Sequence, residues 1–202
     1  MPDTRRRLQT FAALVAVALL GSGCTGALIG AGATAGVTVA QERSVADAID
    51  DAAIHVDIDR RLLEKHESLF RKVGVEVVEG RVLLTGSVPQ PENRIDAVRI
   101  TWQVDGVREV IDEIQVTDKS GIVDYAKDVW ITTQLRTKML TDTEVSDINY
   151  NIETVNGVIY LMGIAQDQSE LDRVTNYARE IPGVRQVKSH VRLKNDPRRT
   201  GA

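Results

Sequence analysis

Gly80-Arg-Val-Leu-Leu-Thr-Gly86 returns as Gly157-Val-Ile-Tyr-Leu-Met-Gly163, and Gly106-Val-Arg-Glu-Val110 returns as Gly183-Val-Arg-Gln-Val187. Both echoes lie 77 residues downstream, and two landmarks sharing one offset without slippage mean a duplicated unit. At about seventy residues each copy is domain-sized. The glycine-bounded stretch predicts a hairpin in each copy, Val73–Val78 with Val82–Thr85 and Asn149–Val155 with Val158–Met162. The turns fall at Glu79-Gly80 and Asn156-Gly157; the second is the stronger signal, since Asn and Gly both tolerate positive φ.

Working outward, an amphipathic helix precedes each hairpin, Asp51–Leu63 and Asp128–Leu140, with Ile54 and Ile58 answered by Ile131 and Leu135 at helical spacing. A second helix follows, Pro91–Gln103 and Gln168–Glu180, stopping before Asp105-Gly106 and Pro182-Gly183. A last strand, Val107–Val116 or Val184–Leu193, completes the unit. The fold class is therefore α+β, two tandem α-β-β-α-β domains. A three-stranded sheet with one apolar face calls for both helices on that face. Gly80, Gly86, Gly106, Gly157, Gly163 and Gly183 are read as structural glycines of the repeat.

In a chain of 202 residues, 43% hydrophobic and 27% charged residues lie in the ordinary globular range, against wholesale disorder and against a multi-spanning membrane protein. A formal charge of -4 argues against nucleic acid as a partner. The single cysteine, Cys24, excludes intramolecular disulfides and cysteine-based metal sites. Arg5-Arg6-Arg7 precedes the apolar run Phe11–Leu20, which is about half the roughly 20 residues of a spanning helix. Residues 1–23 therefore read as a signal peptide. Gly21-Ser22-Gly23 ahead of Cys24 resembles a bacterial lipobox, with Leu20 four places before the cysteine. That resemblance implies acylation of Cys24, and Thr25 in place of Asp implies sorting to the outer membrane. Residues 24–43 form the lipidated cysteine and a Gly/Ala-rich tether spanning about 25 Å. Removing residues 1–23 takes three arginines and one aspartate from 25 basic and 29 acidic groups, leaving 22 and 28, net -6.

The pattern Gly80-x-Val82-x-Leu84-x-Gly86 with Gly106-Val107-x-x-Val110 resembles the BON domain. Likeness extends to Arg43-Ser44-Val45, Asp128-Val-Trp-Ile-Thr-Thr133 and Tyr160-Leu-Met-Gly163, and covers Cys24 to Lys194. It implies BON domain 1 at 44–117, a linker at 118–123, BON domain 2 at 124–194 and a tail at 195–202. Behind a lipobox, the doublet implies a lipid-anchored protein on the periplasmic face of the outer membrane. The resemblance further implies binding of anionic, phosphatidylglycerol-like phospholipid through the first helix of the second domain, support of envelope integrity, and envelope-assembly or division proteins as further partners.

An enzyme reading finds no motif. His55, His66 and His190 show no metal-ligand spacing, and Ser87 lacks the nucleophile-elbow pattern. Asp50-Asp51, Asp57 and Asp59 read as the solvated face of a helix. No cofactor or metal is expected. Binding is better supported, because the copies have diverged electrically. Asp47–Glu113 carries 9 basic and 15 acidic residues, net -6, whereas Asp124–Lys194 carries 9 and 10, net -1. At 100° per residue, Ile131, Leu135 and Met139 form one stripe. Lys127, Gln134 and Lys138 fall within about 80° of Trp130 on an adjacent stripe, the composition of a membrane-interface face. The equivalent residues of domain 1 are Asp50, Ala53, Asp57 and Arg61. The competing role for Trp130 is sealing the edge of its own domain or the inter-domain contact. Trp102, in a stripe with Ile95 and Val98 beside a second stripe of Ala97, Thr101 and Val104, is assigned to core packing, with domain–domain contact as the alternative. The functional alternative to lipid binding is a protein-interaction or chaperone-like module acting on outer-membrane assembly or cell-wall machinery.

Overall fold

The computed structural model describes Glu42, Ser44–Thr117 and Ile122–Arg199. The signal segment, Cys24, most of the tether and residues 118–121 of the linker lie outside the described residues. Ser44 opens the first helix, its hydroxyl accepting the Asp47 N–H at 3.0 Å. In order come α1 (Val45–Lys65), α2 (Glu67–Lys72), β1 (Val73–Val78), β2 (Arg81–Val88), α3 (Pro91–Trp102), β3 (Glu109–Asp112) and β4 (Gln115–Val116). The second copy supplies α4 (Ile122–Thr141), a 3-10 turn (Asp147–Asn149), β5 (Tyr150–Val155), β6 (Val158–Ala165), α5 (Gln168–Glu180), β7 (Gln186–Ser189) and β8 (Arg192–Leu193).

Helices α1 and α4 both begin six residues before the expected start. Their first turns carry exposed residues such as Ile49, Val123 and Tyr125, so no core-facing periodicity marks them. Helix α2 was not expected; its one buried residue is Leu69. The expected last strand is bent into two pieces. Leu84 pairs with Asp112 and Ser87 with Gln115, so the parallel register is kept across the bend. The bend lies opposite Gly86, whose φ is 111° and where a Cβ would stand 2.0 Å from the Lys72 carbonyl oxygen. Each sheet thus reads β1-β2-β3/β4 or β5-β6-β7/β8, an antiparallel hairpin followed by a parallel strand delivered by the crossover helix.

Both helices cover one sheet face, as the sequence implied. Ile54, Ile58, Leu62 and Ala97 pack on Val75, Val77, Val82 and Leu84, and Ile131, Leu135, Met139, Val174 and Ala178 pack on Ile152, Ile159 and Leu161. The expectation of a single apolar face is corrected. Val78 and Leu83 of the first sheet form one buried cluster with Val155, Tyr160, Met162 and Ile164 of the second, so the sheets stack back to back. Charged groups frame this interface. Glu113 accepts from Lys188 at 2.5 Å and meets His190 Nε2 at 3.0 Å, and Glu109 bridges Arg81 (2.8 Å) and Arg192 (2.9 Å). The Glu113 carboxylate raises the pKa of the Lys188 ammonium above the usual lysine value. Residues 195–199 do not form a free tail, because Arg199 is buried against Glu79 at 2.8 Å.

The two hairpin turns are clasped identically. Glu79 and Gly80 have φ of 55° and 71°, Asn156 and Gly157 of 50° and 75°, the two-positive pattern of a type I′ turn. The Glu79 and Gly80 N–H groups donate to the Asp51 carboxylate, both at 2.8 Å. The Asn156 and Gly157 N–H groups donate to Asp128 at 2.6 and 2.7 Å. Asp51 is therefore buried and structural, correcting its assignment to a solvated face: two amides replace the water it loses.

Two outcomes are expected. Gly157→Val should destabilise the fold by about 2 kcal/mol or more, since φ is 75° and the new Cβ would meet the Gly183 carbonyl oxygen at 2.9 Å; urea unfolding showing no loss would contradict the turn assignment. Glu153, half-buried, has its carboxyl pushed up to about 7, chiefly by desolvation and further by the charges of Glu76 and Asp128. Its folded pKa exceeds the unfolded one, so it contributes stability at low pH that is lost as pH rises toward 7. Glu153→Gln should flatten that decline and raise stability at pH 8 by on the order of 2 kcal/mol, read as melting temperature against pH.

Candidate functional site

Helix α4 is held by its buried stripe, Ile131, Leu135 and Met139, and by the Asp128 clasp on the hairpin. These contacts fix its rotation and leave Lys127, Trp130, Gln134 and Lys138 on an outer stripe about 16 Å long. Trp130 is 47% exposed. It walls a groove of about 640 Å³ that also holds Lys127, Gln115, Asn156, Pro182 and Arg185, with Ile131 at its base. Lys127 lies 3.9 Å from Asp124, a loose pair. Gln115 comes from domain 1, so the groove opens at the seam between the copies.

The four residues predicted for lipid contact do not all share that groove. Lys127 and Trp130 line it. Gln134 is exposed on the same stripe. Lys138 turns to α5, where its ammonium meets Glu180 at 3.3 Å and sits 5.3 Å from the Tyr177 ring centroid. Sequence reasoning missed Val123, exposed one heptad before Trp130 on the same stripe, although an i, i+7 count would have found it. It also missed Gln115, Pro182 and Arg185, which only tertiary folding brings to α4.

The duplicated position in domain 1 forms a second, smaller groove of about 380 Å³. Ala53 replaces Trp130 there, and Asp47, Asp50, Asp57 and Asp105 outnumber Arg108. Arg60 and Arg61 hydrogen-bond Asp57 and hold its carboxyl below the usual range, so it stays ionised. The groove beside α4 thus has an apolar wall with Lys127 and Arg185 set against Asp124 and Asp128, whereas the groove of domain 1 is acidic.

Trp102 is corrected. It is 53% exposed, with Ile95 beside it on the outer face of α3, while Ala97, Thr101 and Val104 are buried. Small side chains let α3 approach the sheet closely, and the indole has no room on that side. It is not part of the domain–domain cluster either. Among the described residues no group of three or more His, Cys, Asp or Glu is arranged to hold a metal ion. No described helix is long and apolar enough to cross a membrane.

This chain is similar to several known proteins. It is 44% identical over 148 residues to an uncharacterized protein in the gshII 5′ region of Anaplasma centrale, covering 73% of this chain and 97% of that one. It is 31% identical over 182 residues to the outer membrane lipoprotein DolP of Haemophilus influenzae, covering 89% and 93%. The osmotically-inducible protein Y of Escherichia coli is 30% identical over 152 residues, covering 74% and 76%. The BON domain model matches residues 46–118 and again 127–195, the two copies that the 77-residue offset marks. With both halves of the duplication matched and the α+β architecture in place, this chain belongs to the BON-domain family.

Proposed function

We propose that this protein is anchored through acylated Cys24 to the periplasmic face of the outer membrane. Its second BON domain binds anionic phospholipid through α4, and the protein supports envelope integrity as a binding module, not a catalyst. The observation that carries this reading is the contrast between the duplicated faces: Lys127 and the exposed Trp130 on α4 against Asp50 and Ala53 on α1. An indole is suited to the headgroup level, being apolar with one N–H donor. A lysine near an anionic surface contributes about 1 kcal/mol. The affinity of the face alone is therefore weak, and a tether raises its effective concentration at the membrane to the millimolar range. Acyl chains contribute about 0.8 kcal/mol per buried CH₂. The name of the Haemophilus influenzae relative, an outer membrane lipoprotein, supports the location.

A second reading, a module that docks envelope-assembly proteins, draws on the exposed Ile95 and Trp102 of α3. Domain 2 has Asp172 and Arg179 at these positions, so this apolar pair is particular to domain 1.

The test is co-sedimentation of the unacylated mature chain with phosphatidylglycerol vesicles, with circular dichroism as the folding control. Trp130→Glu should abolish binding and keep the fold, whereas Ala53→Glu should change little. Lys127→Glu should weaken binding, more at low than at high salt, because screening acts over about 10 Å at 0.1 M. Lys138→Glu should have the smaller effect, since Lys138 already pairs with Glu180. A folded Trp130→Glu protein that binds like its parent would move the assignment to the docking module. For the anchor, Cys24→Ala should lose stable membrane association, and mass spectrometry should find acyl mass only on the parent.

A further inference from the structure

We infer that residues 194–199 are a strap that fastens the tether at Glu42 to domain 2 and closes over the seam onto the Glu79 turn of domain 1. The strap does not depend on lipid contact at α4. With Cys24 acylated, as proposed above, it puts the anchor's pull on both domains at once.

The chain builds this strap locally. Asp196-Pro197-Arg198-Arg199 is a β-turn sequence, with aspartate first and proline second. The Arg199 N–H donates to the Asp196 carbonyl and the Arg198 N–H to the Asp196 carboxylate, both at 2.9 Å. The turn leaves the Arg199 side chain only 9% exposed. Its guanidinium reaches three segments. Nη1 donates to the Lys194 carbonyl at 2.7 Å, Nη2 to the Glu42 carbonyl at 2.7 Å, and Nε and Nη2 to the Glu79 carboxylate at 3.1 and 2.8 Å. Such a set needs the five donors and the planar fork of an arginine.

Glu42 is held by backbone and side chain alike. Its N–H donates to Asn149 Oδ1 at 3.0 Å, and its carboxylate accepts from Gln166 Nε2 at 2.7 Å and meets Lys194 Nζ at 2.9 Å. Lys194 and Gln166 hold the Glu42 carboxyl below the usual carboxylate range, so it is ionised. These partners all belong to domain 2, 107 to 157 residues along the chain, although Glu42 leads into domain 1.

The duplication shows that the BON frame does not require these contacts. The domain 1 positions equivalent to Asn149, Gln166 and Arg199 are Lys72, Pro89 and Ile122, which lack the acceptor, the amide and the guanidinium. At the turn, Glu79 has a φ of 55° where domain 2 has Asn156. Asparagine tolerates positive φ better than glutamate does. The buried ion pair with Arg199 is what the glutamate gains there, since a buried carboxylate needs a partner.

The experiment follows amide hydrogen exchange by NMR in the unacylated mature chain, with melting temperature and the β6 amides as folding controls. The parent's Glu42 N–H should exchange about tenfold or more below the rate of an unstructured chain, the scale of one charge-supported hydrogen-bond set. Arg199→Ala should remove most of that protection and leave β6 protected, and Arg199→Lys should restore only part of it. Glu79→Asn suits the turn but breaks the ion pair, so it should fold and still speed Glu42 exchange severalfold. Gln166→Ala should do the same while sparing the Arg199–Glu79 pair. Gln115→Ala, which loosens the Asn156 turn instead, should leave Glu42 unchanged. Unprotected Glu42 in the parent overturns the strap, as does parent-like exchange in folded Arg199→Ala protein. If Arg199→Ala does not fold, parent-like exchange in both Glu79→Asn and Gln166→Ala overturns it. An equal effect of Gln115→Ala also overturns it, because the protection then belongs to the seam as a whole. None of these readouts needs an acyl chain, so absence of acyl mass on Cys24 overturns the anchor and not the strap.

Discussion

A three-stranded sheet covered by two helices still has a second face, and in this protein that face is apolar. Val78, Leu83, Val155, Tyr160, Met162 and Ile164 are buried only because the two sheets lie against each other. Burying such side chains contributes about 1.5–3 kcal/mol each relative to exposure, a large fraction of the stability of small domains. The copies are therefore not independent beads. The Glu113–Lys188–His190 and Arg81–Glu109–Arg192 groups sit around the apolar contact and set its register. The seam they close is also where Gln115 meets the Asn156 turn.

Duplication separates what the fold needs from what each copy does. The carboxylate clasp survives in both copies because two turn amides, forced inward by the I′ geometry, require an acceptor. Asp51 and Asp128 supply it with nearly the same distances. The outward positions are under no such requirement. Ala53 faces Trp130 in the alignment of the repeats, Asp50 faces Lys127, and Trp102 faces Arg179. Each copy thus exposes one indole, on a different helix. A single duplicated frame in this way presents an acidic groove in domain 1 and one in domain 2 that is walled by an indole and balanced in charge.

Much of this frame was legible in the chain itself. The 77-residue offset marked the duplication, and the Asn156-Gly157 pair marked a hairpin, because backbone conformation with positive φ depends on residue type at the turn. The Ile131, Leu135 and Met139 stripe placed α4 on its sheet through the 3.6-residue period, and with it the outward direction of Trp130. These are local properties, carried by neighbours within a few turns. What required the folded chain depends on partners far along it. Asp51 reads as one more acid on a polar helix until the turn amides 28 and 29 residues on are seen against it. Trp102 reads as core until the small residues Ala97 and Thr101 are seen to occupy the space beneath α3. The second apolar sheet face, the turn of Lys138 toward Glu180, and the meeting of Gln115 and Arg185 beside α4 were likewise decided by tertiary packing. Periodicity reports which side of an element is apolar, but the surface that covers it, and the distant side chains brought there, follow from how the two copies bury their remaining faces together.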